Sequence, residues 1–148
     1  LKTDIEQFDI IGMLTAEVSK SRVNTAVVKR LAQVVRHLQP DTRDAAAEML
    51  VTNLDVLAPA LPVVLRVLDD IFPDLTPRVQ EFIPREIRRR IAAEEYWILV
   101  PINLGYALRV LQHTNDDESI QLCTQLYDKV PPFIQRDIVY LMYGWQAT

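Results

Sequence analysis

Apolar residues recur at intervals of three and four along nearly the whole chain, and this spacing, unlike the alternation of a strand, sets the fold class. In 4–20, Ile5, Phe8, Ile11, Leu14 and Val18 form one stripe of an amphipathic opening helix. In 24–38, Val27, Leu31, Val34, Val35 and Leu38 form another, with Asn24 placed to cap it. Only three glycines stand against nine prolines, a mix that favours helices punctuated by proline. The expected class is all-α, with seven or eight helices in a single domain over 1–148.

The prolines supply the punctuation. Pro40 stops the second stripe, and a helix follows from Asp41 as cap, with Asp44 in its first turn and Ala46, Met49, Leu50 and Leu54 inward. The link is too short for anything but antiparallel neighbours, which gives a hairpin over 24–55. A second hairpin over 59–95 pairs the stripe Leu61, Val64, Leu65, Leu68, Ile71 with a helix opened by Thr76 and Pro77. Pro84 is expected to break or kink that helix before Ile87 and Ile91 resume its stripe. Residues 97–111 are hydrophobic at eleven of fifteen positions and read as one central helix covered on several sides, the start of a third hairpin over 97–130. Its second helix opens at Asn115, with Glu118 in a capping-box position. A terminal helix over 132–146 turns Ile134, Ile138, Leu141, Met142 and Trp145 inward.

The hairpins echo one another. "VVRHL" at 34–38, "VLRVL" at 64–68 and "ALRVL" at 107–111 share two apolar residues, Arg, a variable residue and Leu. "FIPREI" at 82–87 returns as "FIQRDI" at 133–138, which reads as one helix-opening device used twice, with "DTRDAA" at 41–46 as a weaker copy. The segment "LAQVVRHLQPDTRDAAAEMLVTNL" at 31–54 resembles a HEAT repeat: an apolar first helix, a Pro-Asp turn, then Arg, an acid and an Ala-rich second helix. That resemblance, to the HEAT and armadillo class of helical repeats, implies stacked antiparallel hairpins in an irregular α-solenoid or right-handed array, a fold that generally serves as a scaffold for proteins or nucleic acids. The order of this hairpin, "FIPREIRRRI", "EEYWILVPI" and "FIQRDIVYLMYGW" also resembles the helical region that follows the polymerase in some bacterial defence-associated reverse transcriptases. That likeness implies an accessory segment and not the polymerase itself.

Composition narrows the role. The formal net charge of −4 argues against a surface that is uniformly attractive to polyanions. Cys123, the single cysteine, falls on an apolar helical face and reads as a buried thiol; with no disulfide possible within the chain, a cytoplasmic location is expected. No apolar run approaches the length of a membrane span, and, with no basic stretch and apolar run at the start, no signal peptide is expected. The start at Leu1 points to a segment of a larger protein.

Motifs of catalysis are missing: no nucleophile elbow, no phosphate-cradling loop, no pair of metal-binding histidines at helical spacing. Asp69 and Asp70 end a helical stripe, where the dipole disfavours them, and are expected to find an Arg such as Arg66 or Arg78. His37 and His113 end first helices, far apart in the repeat order. The segment is therefore expected to be non-catalytic and to need no cofactor or metal.

Two surfaces remain as candidates. The basic run "PREIRRRIAAEE" holds Arg85, Arg88, Arg89 and Arg90, with Glu86–Arg90 and Arg90–Glu94 as i,i+4 pairs; Arg85 and Arg89 are left unpaired by that count. Arg36, Arg66 and Arg109, equivalent in the repeat, line up as a ladder. Tyr140, Tyr143 and Trp145 crowd the terminal helix, and Tyr140 and Tyr143 lie off its apolar stripe, which points to a homodimer or a contact with other parts of the parent protein. The expected role is a scaffold or protein-interaction module. The alternative is an accessory nucleic-acid-binding domain, such as one appended to a defence-type reverse transcriptase, and it requires Arg85, Arg88 and Arg89 to share a groove with Arg36.

Overall fold

The computed structural model describes the backbone of residues 9–114 and 116–147 and the side chains of those up to Tyr143. Ile5, Phe8, Asn115 and the side chain of Trp145 therefore lie outside the described residues. Nine α-helices and three short 3-10 turns account for most of the rest, with no strand among the described residues: α1 (Ile10–Val18), α2 (Thr25–Val35), α3 (Pro40–Thr52), α4 (Leu61–Ile71), α5 (Pro77–Ala92), α6 (Tyr96–Leu99), α7 (Pro101–Leu111), α8 (Asp117–Leu126) and α9 (Pro132–Ala147). No helix among them is long and apolar enough to cross a membrane.

Proline begins these helices more often than it ends them. Pro40, Pro77, Pro101 and Pro132 each occupy the first position of a helix, where a missing N–H costs nothing. The residue before a proline is pushed out of the helical region. Gln39, Thr76 and Val100, with ψ of 155°, 156° and 128°, are accordingly extended and serve as the caps of α3, α5 and α7. Asp41 thus sits inside the first turn of α3, one residue past Pro40, and is not its cap. At α1, α2 and α8, which open without proline, side chains do the capping. Asp9 accepts from the Gly12 N–H at 2.8 Å, Asn24 from Val27 at 3.3 Å and Asp116 from Ser119 at 2.7 Å. The cap of α8 is therefore Asp116.

The stretch 97–111 is not one helix, and this break accounts for nine helices where seven or eight are expected. Pro101 cannot donate to the carbonyl of Trp97, and Val100 turns extended in front of it. Asn103 repairs the loss: its buried Nδ2 donates to Trp97 O at 2.7 Å, taking the place of the missing backbone bond. Pro84 behaves in the opposite way. It is buried inside α5, and that helix is assigned without a break from Pro77 to Ala92. The segment "FIPREI" consequently lies in the middle of a helix while "FIQRDI" opens one, so they are not a shared opening device. What they share is a pair of buried isoleucines one turn apart, Ile83 with Ile87 and Ile134 with Ile138.

The helices pack in two rows. α1, α3, α5 and α8 touch in that order along one, and α2, α4, α7 and α9 along the other. The rows meet over a continuous core in which Leu50, Leu54, Leu61, Leu65, Leu68, Ile83, Ile87, Ile98 and Leu104 are almost wholly excluded from solvent. Each such side chain contributes about 1.5–3 kcal/mol on burial, so the core dominates the stability. α9, aligned by sequence with the second helices of the hairpins, stands in the row of the first helices, beside α7.

Candidate functional site

The arginines of the basic run separate by face, as helical spacing dictates. Arg90 points inward: its residue is 6% exposed, and its Nη2 donates to Thr52 O at 2.8 Å. Its Nη1 lies 3.6 Å from Asp55 and 3.4 Å from Glu95, and the guanidinium rests over the Trp97 ring at 5.4 Å. The expected pairs of Arg90 with Glu86 and Glu94 are replaced by this buried clamp. Glu86 goes to Arg89 instead, at 2.8 Å. That hydrogen bond holds the Glu86 carboxyl below its ordinary range and the guanidinium above its own, although partial burial of Glu86 works against it.

Arg88, Arg85 and Arg89 line one groove between α5 and α8, about 400 Å³ in volume. Arg88 forms its base, bonded to Asp116 at 2.9 Å and Glu118 at 3.3 Å, and donating to the Ser119 hydroxyl at 3.2 Å. Burial pulls the Asp116 carboxyl upward, but the Ser119 N–H and hydroxyl, then Arg88 and Thr114, outweigh it and hold the group below its ordinary range. Arg85 is exposed, lies 5.7 Å from the Phe82 ring and adds to the positive field that lowers the Glu86 carboxyl. The opposite wall carries Gln121 and Gln125, which sequence reasoning did not single out. Their signal was present: two carboxamides one turn apart on the polar side of an amphipathic helix.

Arg36, Arg66 and Arg109 belong to successive members of one row, at the end of α2 and on α4 and α7, and their surroundings differ. Arg36 bonds Asp70 of the next hairpin at 2.6 Å, and the rung after it is His113 Nε2 to Asp69 Oδ1 at 2.6 Å. The two aspartates thus take Arg36 and His113 as partners, not Arg66 or Arg78; Arg78 binds Glu48. The His113 ring also stacks on Phe72, with centroids 4.7 Å apart, which fixes it against α4. Arg66 is exposed with no ion pair among the described residues, and exposed Arg109 lies over the Tyr106 ring at 5.3 Å. The Arg36 contact belongs to the α2–α4 row, whereas Arg85, Arg88 and Arg89 belong to the α5–α8 row.

The last helix presents the second surface. Ile134, Ile138 and Leu141 bury one side of α9. The outer side leaves Phe133 at 54%, Val139 at 52%, Tyr140 at 66% and Tyr143 at 71% exposed. Ile102 of α7, 59% exposed, extends this patch across a groove of about 200 Å³ floored at Gly105, with Tyr106, Arg109 and Asp137 on its walls. A side chain methyl at Gly105 would stand 3.8 Å from Ile134 and Asp137, an ordinary contact, so the groove is shaped by its walls. Among the described residues no group of three His, Cys, Asp or Glu stands close enough to hold a metal ion. Comparison with known protein families, with curated proteins and with solved structures finds no match to this chain.

Proposed function

We propose that this chain is a non-catalytic helical-repeat module, a HEAT-like array of antiparallel hairpins that holds a protein partner at its α7–α9 end and works in the cytoplasm. The two-row order supports the array, because stacked hairpins place each helix beside the second one along. The observation that carries the function is the outward face of α9. Large aromatic side chains left open together are unfavourable in water, and aromatic residues of this kind form the energetic centres of protein contacts. Phe133, Val139, Tyr140 and Tyr143 with Ile102 make such a patch at the end of a row, where no further helix among the described residues covers it. The partner is a second copy of the chain or another domain of its parent.

The nucleic-acid alternative asks for arginines free to meet phosphates. Arg36, Arg88 and Arg89 each hold a carboxylate, and the Arg36 contact sits in the other row from the rest. These pairings favour the protein reading.

The test is site-specific photo-crosslinking in cells. A photoreactive phenylalanine at position 140 or 143 is expected to trap a discrete protein adduct, and the same group at exposed Lys29 is expected to trap none. Equal adducts from all three positions, or none from 140 and 143, would overturn the proposal.

A further inference from the structure

A second surface, separate from the α9 face, has the chemistry of a peptide groove. α5 and α8 run in the same direction: Arg88 meets Asp116 at the start of α8, and Glu94 meets Lys129 just beyond its end, at 3.5 Å. Arg85 and Arg89 stand one turn apart along one wall, and Gln121 and Gln125 one turn apart along the other. Both carboxamides are exposed and have no polar partner among the described residues. Ala92 and Leu122 form an apolar strip between the walls.

We infer that this groove binds an extended acidic peptide segment. Four residues along a helix rise about 6 Å, and two residues of an extended chain advance about 6.7 Å. Gln121 and Gln125 therefore meet successive peptide groups of like orientation, and each carboxamide offers both a donor and an acceptor to them. Carboxylates of the segment bind the Arg85 and Arg89 guanidiniums, and an apolar side chain covers Ala92 and Leu122. Arg89 is itself well exposed, and because its partner Glu86 is largely covered the pair stays intact; a carboxylate of the segment meets the open side of the guanidinium fork.

A nucleic acid fits the same groove less well. Its phosphates follow one another without gaps, and here they meet Glu86 beside Arg89 and Glu118 on the facing wall. The exposed Arg85, the open side of Arg89, a wall of neutral amides and an apolar strip match a peptide with a few carboxylates. They do not match a polyanion.

The experiment uses a fluorescein-labelled peptide of alternating Glu and Leu, its Gln-for-Glu counterpart and an oligothymidylate, with binding followed by anisotropy. Wild type is expected to bind the Glu peptide at least about tenfold more tightly than the other two. Arg85→Ala with Arg89→Ala is expected to lose about tenfold or more, and Gln121→Ala with Gln125→Ala about threefold to tenfold. All four side chains are exposed, so these variants keep the fold. Tyr140→Glu with Tyr143→Glu leaves the groove untouched and is expected to leave binding unchanged, which separates this proposal from the α9 contact. Absence of binding to the Glu peptide, insensitivity to the arginine pair, equal binding of the Gln peptide or equal binding of the oligothymidylate would each overturn it, the last in favour of nucleic acid.

Discussion

Arg90 on α5 reaches the final carbonyl of α3, Thr52 O, at 2.8 Å, from a position that leaves its residue only 6% exposed. A helix leaves its last carbonyls without intrahelical donors, so a guanidinium there both satisfies an acceptor and suits the negative end of the dipole. The bond joins the second helix of one hairpin to the second helix of the next.

Arg90→Ala is expected to lower stability by about 2–4 kcal/mol, since it strips the Thr52 carbonyl of its donor, removes a buried guanidinium from between Asp55 and Glu95 and empties the space over Trp97. Arg90→Lys is expected to recover less than half of that, because an ammonium cannot reach Thr52 O while keeping the fork toward Asp55 and Glu95. Urea unfolding followed by circular dichroism measures both; a loss under about 1 kcal/mol for the alanine variant would refute the clamp.

The depressed carboxyl of Asp116 gives a pH signature. A group whose folded pKa lies below its unfolded value stabilises the fold above the unfolded pKa, and that contribution disappears as pH falls through the folded pKa. Asp116→Ala is expected to cost about 1–2 kcal/mol near pH 7, from the lost cap and the lost partner of Arg88. As pH falls through the lowered pKa of Asp116, the gap between variant and wild type is expected to narrow, read by urea unfolding at a series of pH values. A gap that stays constant with pH would contradict the assignment.

Cys123 is buried and its thiol is pushed from an ordinary 9.0 up to about 12 by desolvation. Three units mean about a thousandfold less thiolate at neutral pH, and thiolate is the reactive species. Labelling of the native protein by an aromatic disulfide reagent is expected to run at least about a hundredfold slower than labelling in urea. Comparable rates in the two conditions would show an accessible thiol.

α5 ends in a Schellman motif: Glu95 N donates to Arg90 O at 3.3 Å and Glu94 N to Ile91 O at 2.9 Å. The position that must turn left-handed is Glu94, at φ 55°, where glycine is usual. Glu94→Gly is expected to raise stability by about 0.5–1 kcal/mol, because the left-handed turn costs a residue with a Cβ about 1–2 kcal/mol and the greater freedom of glycine in the unfolded chain offsets part of the relief. Its ion pair to Lys129 is exposed and offsets little of the gain. A lower unfolding midpoint for the variant would count against this account.

The legible part of this fold is its rhythm. Stripes such as Leu61, Val64, Leu65, Leu68 and Ile71 fall where the periodicity places them, because burial follows the helical repeat directly. The exposure of Tyr140 and Tyr143 was readable for the same reason: they lie off the stripe set by Ile134, Ile138 and Leu141. The break before Pro101 was hidden by an apolar run without a polar face to mark a boundary. Pro84 misled in the other sense, since α5 carries it without ending. Partnerships were the least legible. Arg88 finds Asp116 and Arg36 finds Asp70 across 28 and 34 residues, and local spacing carries no trace of such pairs. Of the candidate arginines, Arg85, Arg88 and Arg89 line one groove, and its facing wall, Gln121 and Gln125, emerges only when α8 is laid beside α5.

The order of the two rows also governs how change spreads through the molecule. α1 packs on α2 and α3, whereas α9 packs on α7, on α8 and on the 3-10 turn at Tyr127–Lys129, so the two ends have no major neighbour in common. Fraying that begins at Tyr143 reaches Leu14 only by way of intermediate helices, such as α7, α4 and α2 in turn. The two ends of the chain are therefore free to diverge under separate selection, each tolerating replacements that leave the other as protected from solvent as before.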